Sequence, residues 1–281
     1  MFYNDTPIET YTLKRGKHEY KIHVKREDLF AQDPAPHVAK LRGLNLWVKK
    51  QSEKGVKCIG ALDTRGISKS AWGLACCCQG TDIKPLAFYP QLKVDSGLHI
   101  NQQKAKDLGA EIIPLSAGRY KILYSRAKKI VEGRGGIMLP EGIKLRETVS
   151  EVAKTVGMVP KELLTGSIVI CSGTGTITAG LIKGLIQNNA EIDKLYVVSC
   201  GMSINKQLIE IKKLLVDDDF LPIEKIPEYV QFIPPRYNYY EPCEISVPFP
   251  CSTFYDKKAW QFMSDYIYGL KAPLIFWNIG D

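Results

Sequence analysis

The chain has 281 residues, 45% of them hydrophobic and 24% charged, and its 38 basic against 30 acidic residues give a formal charge of +8. This composition excludes a disordered chain, a collagen-like repeat and a small disulfide-stapled scaffold, and no apolar run reaches the roughly 18 residues that suggest a membrane span. The basic excess is too mild to be a nucleic-acid signature by itself. It is uneven, however: residues 1–60 hold 12 Lys/Arg against 7 Asp/Glu.

The opening segment, MFYNDTPIETYTLKRGK, has no apolar core between a basic start and a small-residue cleavage site, so no secretory leader is expected. A first strand is expected at 20–25 (YKIHVK), closing on the cluster Lys25-Arg26-Glu27-Asp28. After a Pro-containing loop, a helix is expected near 37–53, and Lys40 stands near its start among apolar neighbours. Burial and the helix dipole both lower an amine's pKa there, which favours imine formation. The ordinary alternative is a surface lysine. Strands are then expected at 57–62, 85–89, 111–115, 167–171, 195–200, 229–233 and 273–278. Helices fall near 68–80, 97–108, 120–132, 145–156, 178–188, 203–215 and 256–270. Continuous apolar strands separated by helices predict an α/β fold of two lobes, each a mostly parallel sheet flanked by helices. The run Gly133-Arg134-Gly135-Gly136 marks a crossing. It places a smaller α/β lobe at 46–144 and a larger lobe at 1–45 plus 145–281.

The eight cysteines lie largely in apolar runs, with no C-x-x-C pair, and the four histidines have no ligand spacing, so neither a metal site nor a disulfide framework is expected. A reducing cytoplasm suits that usage. The sharpest local signal is SIVICSGTGTITAGLIKGL, a buried strand running into Ser172-Gly173-Thr174-Gly175-Thr176 and then a helix. Glycines let the backbone approach an anion, the helix start aims N–H groups at it, and three hydroxyls add donors. Leu181 stands where a nucleoside-triphosphate loop needs Lys. No acidic residue follows at the distance a dinucleotide site needs. A small phosphorylated cofactor is the remaining reading, against a plain strand-to-helix turn.

Taken together, these pieces resemble the fold type II pyridoxal-phosphate enzymes, the group of tryptophan synthase β, cysteine synthase, D-cysteine desulfhydrase and aminocyclopropane-carboxylate deaminase. The likeness is carried by TPIE at 6–9, VKREDL at 24–29, AKLRGL at 39–44, NQQKAKDLGAEIIPL at 101–115, LPEG at 139–142, SGTGTITAGL at 172–181, FYDKKAW at 254–260 and LIFWNIG at 274–280. The resemblance implies pyridoxal 5'-phosphate as cofactor, Lys40 as its Schiff-base lysine, and Ser172, Gly173, Thr174, Gly175 and Thr176 at its phosphate. It puts the substrate-carboxylate loop at 64–70, with Thr64, Ser68 and Ser70 toward substrate. Lys69 stands where the family usually has an Asn bonded to the cofactor's phenolic oxygen. Asn278 is implied as partner of the pyridine nitrogen, with Glu241 the alternative. Tyr237, Tyr239 and Tyr240 cluster where some relatives carry a catalytic tyrosine, Tyr239 being the substrate contact expected here; core packing is the alternative.

The implied activity is lyase, deaminase or β-replacement chemistry at Cα or Cβ of an amino acid. Compact members of this fold are similar to bacteriophage proteins that decorate thymine bases with amino acids. Elimination or decarboxylation on an amino-acid adduct of a DNA base is therefore a second reading, with DNA as a partner, and a non-catalytic relative a third. The resemblance also implies a homodimer.

Overall fold

The structure is a computed structural model that describes residues 2–3, 5–63, 68–91, 97–200, 202–216 and 226–280. Thr64 lies outside the described residues. The chain divides into two compact units: Gln32–Pro36 with Leu41–Glu147, and Phe2–Ala31 with His37–Lys40 and Thr148–Asp281. The first 45 residues are thus split between the units rather than kept as one stretch.

The chain opens on a hairpin, β1 (Ile8–Arg15) and β2 (His18–Arg26), paired antiparallel from Ile8↔Lys25 to Arg15↔His18. The sequence reading missed β1, because as an edge strand it buries little and its Thr, Lys and Glu residues blur the alternation. Helix α1 (Leu41–Glu53) starts four residues later than expected. Residues 37–40 are held extended instead: Ala39 N donates to Ile279 O at 2.9 Å, and Val38 bridges Gly280. The smaller unit continues with β3 (Cys58–Leu62), α2 (Ser70–Cys77), β4 (Lys84–Gln91), α3 (Ile100–Asp107), β5 (Glu111–Ser116), α4 (Tyr120–Gly133) and the two-residue β6 (Ile137–Met138). Its sheet, ordered β5-β4-β3-β6, is wholly parallel, and α4 covers one face through Leu123, Ala127 and Val131 against Cys58, Leu86 and Phe88.

The larger unit resumes with α5 (Arg146–Val156), β7 (Ser167–Ser172), α6 (Thr176–Gln187), β8 (Lys194–Ser199), α7 (Ile204–Leu215), β9 (Val230–Ile233), α8 (Asp256–Asp265) and β10 (Leu274–Asn278). Its sheet runs β1-β2-β10-β7-β8-β9, parallel apart from the opening hairpin. Strand alternation sorts the core into two layers. Ile168, Ile170, Ile275 and Trp277 face α5, α6 and α7, whereas Val169, Cys171, Leu274 and Phe276 face α8 through Ala259, Trp260 and Met263. Helices α5 and α6 pack so closely that a Cβ at Gly180 would lie 2.6 Å from Val152 Cβ.

Candidate active site

Three segments of the larger unit meet at the C-terminal ends of β7 and β10: the loop 172–176, the extended turn 37–40 and the start of α8. Gly175 sits at φ +86°, and an added Cβ there would meet Ile211 Cγ1 at 2.7 Å, so only glycine suits this turn. Among the described residues no side chain caps α6, and its first turn has no acidic residue. Its first N–H groups have no intrahelical acceptor, a geometry that can receive an anion. The Thr174 and Thr176 hydroxyls lie 3.1 Å apart, and Lys40 Nζ donates to Thr174 Oγ1 at 3.2 Å. The expected loop and the expected lysine, 134 residues apart in sequence, are therefore brought together. Ser172 has a different place: it is buried, and its hydroxyl accepts from Thr178 Oγ1 at 3.1 Å, bracing the turn from within.

Asn278 is fully buried at the end of β10. Its Nδ2 donates to Asp28 Oδ1 at 2.8 Å and to Pro250 O at 2.9 Å. Asp28 is in turn clamped by Arg26, whose Nε and second amino group donate at 2.9 and 2.7 Å. The charged cluster that closes β2 is thus an internal support for Asn278. The alternative, Glu241, is exposed and accepts from Asn238 N at 3.2 Å within its own turn.

The sequence reading missed Asp256. It is fully buried at the first position of α8, and its Oδ1 accepts from Ile279 N at 3.0 Å and from Cys171 Sγ at 3.5 Å. Burial pushes its carboxyl up to about 7, against the pull of the Ile279 N–H and the Cys171 thiol. Asp256 Oδ2 and Asn278 Oδ1 are buried without a hydrogen-bond partner among the described residues. An acid opening the helix in FYDKKAW was the available signal.

Tyr239 pairs its phenol with that of Tyr255, whose ring flanks the loop: a Cβ on Gly173 would lie 3.4 Å from Tyr255 Cε1. Burial, and then Tyr239, raise the Tyr255 phenol far above its ordinary value, so it stays protonated as a donor. Lys258 is buried and donates to Asn238 O at 2.9 Å and Tyr239 O at 3.4 Å, pinning the tyrosine loop to α8. Tyr240 is exposed, with its ring 4.8 Å from that of Tyr239, and Tyr237 is half-buried.

In the smaller unit, Ser68 Oγ donates to Asp63 Oδ1 at 2.5 Å and lies 3.2 Å from Ser70 Oγ, while Lys69 stands just before α2 with its ammonium 5.9 Å from the Trp72 ring. Asp63 also takes the Ala71 N–H at 3.3 Å, and burial raises its carboxyl to about 6. A carboxyl raised in the folded state stabilises fully below its unfolded value of about 4 and loses that contribution as pH rises through about 6. We expect Asp63→Asn to flatten the pH dependence of urea unfolding across that window, by on the order of 3 kcal/mol. An unchanged slope would place the ionisation elsewhere.

No helix among the described residues is long and apolar enough to cross a membrane. No protein-family model matches the chain. A glycyl-dTMP PLP-dependent decarboxylase of Pseudomonas phage M6 is 33% identical over 291 residues, covering 100% of both chains. Among solved structures, an ACC deaminase homologue superposes with a TM-score of 0.73 at 19% identity, covering 98% of this chain and 89% of its own. An O-ureido-L-serine synthase superposes with a TM-score of 0.69 at 13% identity, with the same coverage.

Proposed function

Because this chain belongs to the fold type II pyridoxal-phosphate-dependent enzymes, we propose that it decarboxylates an amino acid carried on a thymine nucleotide. The full-length relationship to the phage decarboxylase is the observation that carries this reading. The residues fit the cofactor. An uncapped helix start with two hydroxyls and the Lys40 amine suits a phosphate and an aldehyde. Two buried oxygens without partners, on Asp256 and Asn278, suit a protonated ring nitrogen. When bound, the cofactor supplies a sink for the electron pair left on Cα as the Cα–carboxylate bond breaks.

The chain's own residues do the rest. Gly173–Thr176 and the start of α6 hold the phosphate. Asp256 Oδ2 and Asn278 Oδ1 would accept from the ring's N–H, and an anionic Asp256 would there maintain the charge that makes the sink effective. With the cofactor bound to the substrate amine, the freed Lys40 ammonium would be placed to deliver the proton that replaces the carboxylate on Cα after carbon dioxide has left, so that a primary amine remains. The Tyr255 phenol, held by Tyr239, flanks the reaction as a neutral donor. Ser68, Ser70 and Thr64 are assigned to the substrate carboxylate and Lys69 to the phenolic oxygen, on the family resemblance.

Glycyl-dTMP added to the cofactor-loaded protein should release one carbon dioxide per turnover and leave the aminated nucleotide, read by mass spectrometry. Release of ammonia instead would identify a deaminase. A visible imine band with no turnover of this substrate would overturn the decarboxylase reading.

A further inference from the structure

In open parallel sheets, ligands bind beyond the carboxyl ends of the strands. At that edge of the smaller sheet, Asp63 directly follows β3, Tyr120 opens α4, and Glu141 lies just after β6. Asp63 is buried, and its carboxylate is engaged by its own chain. Ser68 Oγ donates to it, and the Ala71 N–H lies 3.3 Å from each of its oxygens. The start of α2 would otherwise suit an incoming carboxylate; it already holds one. Ser68 has a single hydroxyl hydrogen, and that hydrogen goes to Asp63. Toward a ligand its Oγ therefore offers only lone pairs. Ser68 and Ser70 are both half-buried, so a ligand at this edge can touch them.

Among the described residues no cation pairs with Asp63. From β4 it meets the Phe88 carbonyl, which accepts the Asp63 N–H at 2.9 Å. From α3, Asn101 Nδ2 donates to Ser68 O at 3.1 Å. From α4 comes the Tyr120 phenol, held neutral by burial, then by Glu141, with Tyr124 and Asp63 adding to the effect. The ammonium groups of Lys69 and Lys104 lie by the Trp72 ring instead, at 5.9 and 4.0 Å from its centre. A ligand oxygen bonded to Ser68 Oγ falls within about 5 Å of Asp63 Oδ1. At that separation, two like charges oppose each other by more than about tenfold in affinity at the effective dielectric of a protein.

We infer that Asp63 sets this edge against a carboxylate, so that the substrate's carboxylate is repelled where it binds and the repulsion is released as it departs. The Cα–carboxylate bond breaks, its electron pair stays on Cα, and the carboxylate leaves as neutral carbon dioxide. The charge that faced Asp63 is then gone. A charge that opposes the bound state more than the transition state lowers affinity and raises rate. The inference rests on the reading that Ser68 and Ser70 meet the substrate carboxylate. It gives that loop a preference for decarboxylation over reactions that keep the carboxylate.

The test follows the visible imine band while the cofactor-loaded protein is titrated with glycine and with methylamine, which lacks the carboxylate. At about pH 8, Asp63→Asn should bind glycine about tenfold more tightly than wild type, and methylamine equally well. Asp63→Glu, which keeps the charge, should resemble wild type; behaviour like that of Asp63→Asn would mark a structural role and overturn the inference. Burial raises the Asp63 carboxyl to about 6, so the repulsion is present above that pH and is lost below it as the carboxyl takes up a proton. The glycine advantage of Asp63→Asn should therefore vanish by about pH 5. In turnover of glycyl-dTMP the same variant should lower kcat and KM together, the signature of removed ground-state strain. Equal glycine affinity in wild type and Asp63→Asn at about pH 8, or an advantage that persists at about pH 5, would overturn the inference. Should Asp63→Asn fail to fold, wild type carries the test: glycine should weaken relative to methylamine as pH rises through about 6, and a constant ratio would overturn it. A glycine–methylamine split that depends on Asp63, without decarboxylation of glycyl-dTMP, would keep the role of Asp63 and overturn only the proposed reaction.

Discussion

Replacing Lys40 with Ala should abolish the visible imine band and lower turnover by at least the roughly 10²–10⁴-fold that a lost proton-transfer group costs, with little change in thermal stability. Stability is spared because the turn is held by its backbone. The Ala39 N–H and the Val38–Gly280 bridge fix residues 37–40 to the end of β10 whatever side chain follows. The phosphate loop is also independent of the lysine, since Gly175, Thr176 and the start of α6 remain. The variant should therefore still take up the cofactor non-covalently, and inorganic phosphate should displace it. The rival amine is Lys258, buried close to Tyr255 and with its pKa lowered by that burial. Its Nζ already donates to two carbonyls, so it is committed to holding the tyrosine loop. Borohydride reduction of the loaded wild type, followed by peptide mapping, should mark the peptide containing residue 40. A mark on Lys258 would move the assignment there.

Legibility in the sequence followed from whether a feature is local. The phosphate loop could be read because a buried strand, glycines and an apolar helix are contiguous in 167–187, and the parallel strands because continuous apolar runs need cover on both faces. Lys40 was found through order and spacing of motifs, since nothing local distinguishes it from a surface lysine. The partner of Lys40 Nζ is 134 residues away, and only the crossing of 37–40 over the end of β10 brings them together. Asp256 was passed over for the same reason. In sequence it is a common acid at a helix start. Its burial against Cys171, Ile279 and Asp28 depends on three segments that meet only in the folded sheet. The charged cluster at 25–28 read only as the close of a strand, and its burial was not legible: Lys25 and Glu27 are buried at 3.6 Å and Arg26 clamps Asp28.

Asp256→Asn should separate stability from catalysis. In the cofactor-free protein the carboxyl is raised from an ordinary 3.8 to about 7. Its contribution is then complete below pH about 4 and is lost as pH rises through about 7, on the order of 4 kcal/mol in all. Asn cannot ionise, and its oxygen keeps the Ile279 N–H, so urea unfolding of the variant should be nearly flat across that window where wild type falls. Adding cofactor should reverse the wild-type slope, because a protonated ring nitrogen beside Oδ2 favours the carboxylate and pulls its pKa down. The variant should show no such reversal. Turnover should drop by about 10²–10³-fold, the scale of losing one preorganised electrostatic partner, while the imine band at Lys40 persists. Asp256→Glu, which restores the charge, should recover part of the rate and part of the pH slope; a purely structural role for Asp256 would recover neither. If the cofactor leaves the wild-type unfolding profile unchanged between pH 4 and 7, Asp256 is not facing the ring. Asn278 would then be the nitrogen's partner, and Asn278→Ala, which removes the buried Oδ1 acceptor, should lower turnover where Asp256→Asn does not.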